Sequence, residues 1–475
     1  MDSVKKNYVF SLIFTVFNIL FPIISFPLVA KVLGPEGVGK VQFILSFAQY
    51  FALIAGLGIP IYGSRVISQA VHDPKILYRA LSELVYINII CSIVVFLMYL
   101  VTIFSFSLFD TDSKLYLIAG MIVLMRFTSI DWYFAGIANF RLIAIRSVVV
   151  KLLSLLGLYF FVKDSDDYNL YLGISIFSIL GNNIVNLISI RNYISFKGLQ
   201  LKQHIRPLMY TFGTTIAVSM YTMLDTVLIG ILANERSVGL YSASIRLTKL
   251  SIPVIISAAT VLMPKISLLF KEHDFNALKP LLNKSFNFIA ILSVPASVGL
   301  LFLAPELILA FSSSEFHDAT LTMQLLSPLT IIIGLGYFWG FQVLTPAGKD
   351  REMLFAVLIG MTLNLGLNFT LIPRFRQDGA AVANIISELA VTLAYMYFCF
   401  RLIPVRIDHR PLLRNLMATF PFIGISLFLR TFDLNVYVFL VINLIFFGAS
   451  YFLLQATILN KQIVKDLIGG VLKKT

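Results

Sequence analysis

The sequence predicts an all-α, polytopic membrane protein with about 14 transmembrane helices, arranged as two six-helix lobes in parallel repeat plus two extra C-terminal helices. Three observations lead to this prediction. Of the 475 residues, 58% are apolar and only 13% are charged, long runs of the chain lack charge, and short motifs recur about 200 residues apart. A chain with a mean hydropathy of +0.89 cannot place its apolar surface inside one water-soluble core, so lipid must be part of its solvent.

The sequence contains fourteen charge-poor runs. Each is about 18 residues or longer, a length that is enough for a helix to cross the hydrocarbon core. The runs cover residues 8–30, 41–64, 82–106, 115–139, 143–162, 168–190, 208–233, 238–262, 285–310, 321–345, 353–372, 379–400, 412–429 and 435–457. The first run lacks an A-x-A-like cleavage site, so we interpret it as a retained span and not as a secretory signal. Cys91 and Cys399 both fall inside predicted spans, which leaves neither a disulfide framework nor metal-ligand spacing.

The distribution of lysine and arginine predicts the topology. Both residue types concentrate at the N-terminus, in the even-numbered connections between spans and in the C-terminal tail. This asymmetry over short loops is the positive-inside pattern, so both termini are predicted to be cytoplasmic. The net charge of +13 therefore reflects topology and a membrane surface rich in anionic lipid, and it does not indicate nucleic acid binding.

The stretch LGPEGVGKVQF, residues 33–43, raises the question of a phosphate-binding loop. Its glycine spacing fits neither of the glycine-rich nucleotide motifs, and it connects the first two spans. LANERSVGLYSAS, residues 232–244, repeats Leu, Glu and Val-Gly in nearly the same order, and YFAG at 133–136 is echoed by YFWG at 337–340. We interpret the glycines as marks of a sharp turn and of an internal repeat.

Six spans in each repeat return the chain to its starting side, so the two lobes share one orientation. Parallel repeats of this kind are typical of transporters that hold substrate between the halves near the midplane. The predicted units are an N-terminal lobe at 1–206, a C-terminal lobe at 207–402, and two additional helices with a cytoplasmic tail at 403–475. The short connections argue against a soluble catalytic domain.

Four stretches resemble the Wzx-type polysaccharide flippases of the multidrug/oligosaccharidyl-lipid/polysaccharide exporter superfamily. They are LGPEGVGKVQF at 33–43, DWYFAGIANFRLIAIRS at 131–147, LDTVLIGILANERSVGLYSASIRLTKL at 224–250 and NLGLNFTLIPRFRQDGAAVANIISELAVT at 364–392. The resemblance implies a protein of the bacterial inner membrane. It also implies the flipping of undecaprenyl-pyrophosphate-linked oligosaccharide repeat units from the cytoplasmic to the periplasmic leaflet, for O-antigen or capsule biosynthesis.

The same resemblance implies coupling to an ion gradient in place of ATP, no bond-making activity and no cofactor. The implied partners are the lipid-linked oligosaccharide, membrane lipids and other polysaccharide-assembly membrane proteins, with no nucleic acid.

Three cations inside predicted spans are left out of the count of charges by connection, namely Arg126, Arg246 and Lys249, whereas Arg146 and Lys151, near the start of the run 143–162, are counted with the connection before it. A cation near the bilayer centre costs about 2.5–3.5 kcal/mol on insertion scales, so each needs a reason to be there. Arg246 and Lys249 share a helix face at i and i+3. We interpret the three as candidates that bind the pyrophosphate in a central cavity. The alternative is that Arg246 snorkels to the interface and Lys249 forms a structural pair.

Three carboxylates in predicted spans are candidates for ion coupling or for ion pairs: Asp131, Asp225 and Glu388. Burial and changing neighbours can shift a carboxylate pKa across the working pH, as proton or Na⁺ exchange requires. Asp225 fits a structural ion pair with Arg246, Glu388 is the stronger coupling candidate, and Asp131 fits either an inner gate or an anchor. No catalytic residue and no metal site is predicted.

Amide side chains add polarity to two spans, at Asn182, Asn183, Asn186, Asn364 and Asn368. They can bond sugar hydroxyls, although such residues more often bond across helices. Competing functions are a peptidoglycan-precursor flippase or a multidrug exporter of the same superfamily. A membrane polysaccharide polymerase or glycosyltransferase is a further alternative, but it predicts a long loop carrying carboxylates or arginines, which the sequence lacks.

Overall fold

A computed structural model describes residues 2–404, 407–432 and 434–455. All regular secondary structure in these ranges is helical, which confirms the all-α prediction. The α-helices are α1 Asp2–Ala55, α2 Ile59–Ala70, α3 Pro74–Ser105, α4 Ser113–Leu124, α5 Asp131–Gly136, α6 Phe140–Phe161, α7 Tyr168–Ile190, α8 Lys202–Leu232, α9 Glu235–Lys249, α10 Ile252–Lys271, α11 Phe275–Phe302, α12 Ala304–Phe311, α13 Ala319–Leu326, α14 Leu329–Tyr337, α15 Asp350–Leu402, α16 Arg410–Met417, α17 Phe420–Leu429 and α18 Val436–Leu454. The predicted C-terminal tail lies outside the described residues.

The described residues contain ten helices that are long and apolar enough to cross a membrane, or eleven if the bent pair Glu235–Ser257 and Leu262–Lys271 counts as one span. This confirms a polytopic membrane protein. Two of the ten helices, α1 and α15, each contain a break in the helical backbone, so each holds parts of two predicted spans. The number fourteen itself stays a prediction.

The break in α15 is a reversal of the chain at Arg376, where φ is 50° and ψ is −128°. In a straight helix, two residues eight positions apart are about 12 Å apart. A β-carbon built on Gly379 would instead lie only 2.5 Å from the carbonyl oxygen of Leu371, so the chain folds back on itself here. In α1 the backbone leaves the helical region at Gly34, with φ at 64°. This is the left-handed region that favours glycine, so the first glycine of LGPEGVGKVQF does mark a turn.

Both aromatic echoes of the repeat lie where a predicted span departs from regular α-helix. In span four, α4 runs into a 3-10 turn at Met125–Thr128 before α5 begins at Asp131. In span ten, a π-helix at Phe338–Leu344 follows α14. Irregular backbone at membrane depth is tolerated where it is buried in protein or lines a cavity, so these segments are candidates for lining a binding cavity.

The chain divides into two compact units, Met1–Gly239 and Leu240–Thr475. The first has an apolar core around α2, α3 and α5, which includes Ile59, Tyr62, Ile67, Leu81, Leu84, Trp132, Tyr133 and Phe134. In the second, α17 and α18 pack on α11 and α12 through Val298, Leu303, Phe422, Phe439 and Leu440. The lobe boundary after residue 206 was predicted by counting spans, and it stays a prediction.

A buried polar cluster joins α2, α3 and α8 in the first unit. The Glu83 carboxylate, whose side chain is only 1% exposed, accepts hydrogen bonds from Arg79 Nε at 3.1 Å and Gln203 Nε2 at 2.9 Å. His204 Nε2 lies 2.9 Å from the same carboxylate, and its Nδ1 lies 2.8 Å from the Tyr62 hydroxyl. A buried carboxylate is tolerated only when it is paired and hydrogen-bonded, so this cluster anchors the start of α8.

Candidate functional site

A polar cavity of about 290 Å³ lies in the first unit, among α1, α4, α6, α7 and the irregular segment before α5. Its lining combines charged, amide and hydroxyl groups with a few apolar side chains. The residues are Phe14, Asn18, Ile122, Arg126, Ser129, Asp131, Arg146, Ser147, Lys151, Ser178, Ile179, Leu180, Asn182 and Asn183. All of these residues lie in helical segments that are long and apolar enough to cross a membrane, so the cavity is at membrane depth.

An ion pair forms one wall of the cavity. Asp131 is the first residue of α5, and its carboxylate forms a salt bridge with the guanidinium of Arg146 on α6. Asn186 on α7 closes the group, because its side-chain oxygen accepts from Arg146 while its Nδ2 donates to Asp131 at 3.0 Å. The Arg146 side chain is 4% exposed and that of Asp131 is 47% exposed. The wall is therefore neutral and fixed by three helices.

The other two cations of the cavity are held by neutral groups. Arg126, in the 3-10 turn, donates to the Ser129 hydroxyl at 3.3 Å. A β-carbon on Gly56 would lie 3.2 Å from Arg126 Nε, so a glycine makes room for this guanidinium. Lys151 Nζ donates to the Asn18 side-chain oxygen and lies 5.4 Å from the centre of the Phe21 ring. Within the described ranges, neither cation has a carboxylate within salt-bridge distance.

The cavity therefore holds three cations against one carboxylate, so it has an excess of positive charge. Excess charge at membrane depth is costly unless water or a counter-charge meets it, and electrostatic attraction strengthens at low dielectric. Serine hydroxyls and asparagine amides complete the lining. The side-chain oxygen of Asn182 is buried without a hydrogen-bond partner among the described residues. The arrangement suits an anionic group joined to a part rich in hydroxyls.

The structure brings two of the predicted site residues, Arg126 and Asp131, into this one cavity. Asp225 lies in α8 of the same unit and is 2% exposed. The other candidates lie in the second unit. Arg246 and Lys249 occupy the last turns of α9, Glu388 lies on the second arm of α15, and all three are half-buried. The roles of these residues stay predictions.

Two cavity residues, Arg146 and Lys151, are not among the predicted site residues. Both fall in the predicted run 143–162, but they were counted with the connection before it. That assignment was wrong, because both lie inside α6. One signal for the inward face was present in the sequence. Ser147, Lys151 and Ser154 stand at i, i+4 and i+7, the spacing of one helix face, and both serines are buried.

Two family models match the chain. The model described as "Polysaccharide biosynthesis protein" matches residues 4–270, which is more than half of the chain, and the MatE model matches residues 211–370. Among solved structures, the lipid II flippase MurJ in an inward closed conformation superposes with a TM-score of 0.79. It has 17% sequence identity and covers 97% of this chain and 100% of the other. This likeness establishes the fold.

Curated relatives match over most of their own length. A protein of Escherichia coli K12 named "Putative O-antigen transporter" is 22% identical over 405 residues, covering 83% of this chain and 96% of the relative. The capsular polysaccharide biosynthesis protein CapF of Staphylococcus aureus is 25% identical over 410 residues, covering 84% and 99%. On this family match over more than half of its length, the chain belongs to the polysaccharide biosynthesis protein family.

Proposed function

We propose that this protein flips undecaprenyl-pyrophosphate-linked oligosaccharide repeat units from the cytoplasmic to the periplasmic leaflet, for the assembly of a surface polysaccharide. The observation that carries the proposal is the cationic and hydroxyl-rich cavity among membrane helices of the first unit. The names of the Escherichia coli and Staphylococcus aureus relatives support the same class of substrate.

The pyrophosphate explains the excess positive charge of the cavity. A pyrophosphate that enters a membrane must lose water, and this is costly unless fixed cations replace the lost hydration. Arg126 offers a planar fork for two phosphate oxygens, and Lys151 offers a compact point charge. Both cations have neutral hydrogen-bond partners, so binding does not require an existing salt bridge to break.

The sugars explain the neutral polar lining. Hydroxyl groups both donate and accept hydrogen bonds, and serine and asparagine side chains do the same. Ser178, Asn182 and Asn183 lie together on α7. The unpartnered oxygen of Asn182 supplies an acceptor for a sugar hydroxyl. The alternative role of the amides, which is to form hydrogen bonds across helices, fits Asn186, whose side chain bonds the ion pair.

Transport of this kind needs no bond-making chemistry at the site. Alternating exposure of one substrate site to the two leaflets is sufficient, and an ion gradient supplies the driving force in our proposal. Arg246 and Lys249 are a second cationic pair for the head group, and Asp225 and Glu388 are the candidates for ion coupling. The proposed location is the bacterial inner membrane, with both termini in the cytoplasm.

The proposal is tested by expressing the chain in bacteria that lack their own repeat-unit flippase. We expect surface polysaccharide to return, measured by antibody labelling of intact cells. A parallel strain depleted of its lipid II flippase separates the peptidoglycan alternative, since we expect no rescue of growth there. Rescue of growth without surface polysaccharide, in strains that contain the protein at equal levels, would contradict the proposed substrate.

A further inference from the structure

A second recess, of about 550 Å³, lies between α6 and α7 next to the polar cavity. We call it the α6–α7 groove. It is lined by Asn139, Arg141, Leu142, Ile145, Arg146, Val149, Val150 and Val185. The wall is mostly aliphatic, and Ile145, Val149 and Val185 are 37–49% exposed. Aliphatic side chains open to the outside of a membrane helix pair favour contact with a hydrocarbon chain.

One side chain borders both the groove and the cavity. Arg146 lines both recesses. On α6, Ile145 and Val149 stand at i and i+4 in the groove, while Ser147 and Lys151 stand at i and i+4 in the cavity, so the helix presents a different face to each recess. The Arg146 Nε has no hydrogen-bond partner among the described residues. This guanidinium therefore lies between the two recesses and keeps one unused donor.

Cations mark a path from the mouth of the groove to the cavity. Arg141, Arg146 and Lys151 follow one another at intervals of five residues along α6, which corresponds to a rise of about 7.5 Å each. Arg141 is exposed and lines only the groove, Arg146 lines both recesses, and Lys151 lines only the cavity. A phosphate that moves along this series meets a cation at each step.

The position of the groove suits entry from the inner leaflet. On the predicted topology, α6 begins on the cytoplasmic side, so Arg141 lies at the cytoplasmic interface and Val149 lies deeper. A lipid in that leaflet places its phosphate near Arg141 and its chain along Ile145 and Val149. The adjoining cavity favours a lipid-linked oligosaccharide, because its sugars carry many more hydroxyl groups than a phospholipid head group to place against the amides.

We propose that the α6–α7 groove is the lateral docking site for the polyprenyl chain of the lipid-linked substrate. Its phosphate lies first at Arg141 and enters the cavity past Arg146, while the chain stays in the groove in contact with lipid. This proposal rests on the proposed function, since it assigns the path by which the same substrate reaches the same cavity.

The test uses the full chain reconstituted in phosphatidylcholine vesicles with a polyprenyl phosphate that carries a diazirine on its chain. After illumination, mass spectrometry maps the labelled residues. We expect labels on the groove residues of α6 and α7. Val149→Trp fills the groove and should abolish this labelling, because the indole ring occupies the space of the chain. Arg141→Gln should lower it about fivefold, since it removes one interfacial charge.

The matched control is Leu156→Trp, which adds the same ring to an exposed position of α6 that does not line the groove. It should leave labelling unchanged. Val185→Trp fills the groove from α7, and it replaces Val149→Trp in this experiment if Val149→Trp lowers the midpoint of thermal unfolding. Labelling that both groove variants leave intact would overturn the proposal. The proposal would also be overturned if added phosphatidylglycerol displaced the probe as well as unlabelled polyprenyl phosphate does, because the groove would then be a general site for anionic lipids. If the wild-type chain restores surface polysaccharide and the groove remains unlabelled, only the docking site is wrong.

Discussion

Gly39 and Gly239 pack backbone against backbone. A β-carbon built on Gly39 would lie 2.7 Å from the Gly239 nitrogen and 1.8 Å from the carbonyl oxygen of Glu235, and one built on Gly239 would lie 2.0 Å from the carbonyl oxygen of Pro35. The contact is reciprocal, with each glycine resting on the residue four positions before the other. The two glycines come from the two stretches that the sequence predicts to be repeats, and the close backbone contact excludes a side chain at both positions.

We predict that Gly39→Ala destabilises the protein by about 1–3 kcal/mol, the usual cost of forcing extra volume into a packed site. The matched control is Gly173→Ala in α7, where an added β-carbon meets nothing within 4 Å. That change should be neutral or stabilising by up to about 1 kcal/mol, since alanine favours the helix. Thermal unfolding of the purified proteins in one detergent measures both. Equal midpoints for the two variants would contradict the close packing.

The ion pair of Asp131 with Arg146 predicts an asymmetric effect of mutation. Asp131→Asn leaves the buried Arg146 without its counter-charge and should cost about 1–3 kcal/mol, after allowance for the solvent that reaches Asp131. Arg146→Met leaves a carboxylate that is 47% exposed and can be hydrated, so it should cost less. Thermal unfolding of both single variants and of the double variant gives the coupling energy.

In this double-mutant cycle, the variant that carries both Asp131→Asn and Arg146→Met should be more stable than Asp131→Asn alone, because no uncompensated buried charge remains. A double variant that loses the sum of the two single effects would mean that the two side chains do not interact.

Arg246 and Lys249, the second cationic pair, predict that the display of surface polysaccharide depends on both the charge and the shape of these side chains. Arg246→Ala and Lys249→Ala should each abolish surface polysaccharide, while protein levels stay normal or rise slightly, since an inserted charge has gone. Arg246→Lys should keep partial activity, because the charge remains and the planar fork is lost. Antibody labelling of cells with matched membrane levels provides the measurement. Full display by the alanine variants would leave these two residues with structural roles only.

Glu388 offers a test of ion coupling. Glu388→Gln keeps the shape of the side chain and removes its charge. If Glu388 carries the coupling ion, collapse of the proton or sodium gradient should no longer change flipping by this variant in vesicles, whereas the wild-type protein should slow. Glu352→Gln, at the start of the first arm of the same helix, is the control and should behave as wild type. Unchanged gradient dependence in Glu388→Gln would exclude the coupling role.

Much of the fold could be predicted from the sequence, because its cause is local. Long apolar runs require helices in lipid, and charge-poor stretches such as 168–190 coincide with α7. Arg126 and Asp131 could be named in advance, because a charge in the middle of an apolar run is conspicuous. The break between Met125 and Asp131 could not be predicted, since its 3-10 turn and new helix start depend on tertiary packing.

Arg146 and Lys151 were missed for a related reason. A cation within a few turns of a helix end can belong to a loop, snorkel to the interface or face inward, and the local sequence allows all three. Only the partners decide between them. Lys151 bonds Asn18, which lies 133 residues earlier, and no local pattern links two such positions. The cavity therefore depends on long-range packing of α1, α6 and α7.

We propose that Arg126 and Lys151 replace the hydration that the substrate pyrophosphate loses in the membrane, a role that can be measured on the purified protein. Its most direct test is the rate at which a fluorescent undecaprenyl-pyrophosphate-linked oligosaccharide crosses vesicles that contain the purified protein. We predict that Arg126→Ala and Lys151→Ala each slow flipping by about tenfold to a hundredfold, as expected for the loss of one charge-assisted contact worth about 1.5–3 kcal/mol. Arg191→Ala, which removes an exposed cation after α7, should flip at the wild-type rate. Wild-type flipping by both cavity variants, with normal folding and insertion, would contradict this account of the site.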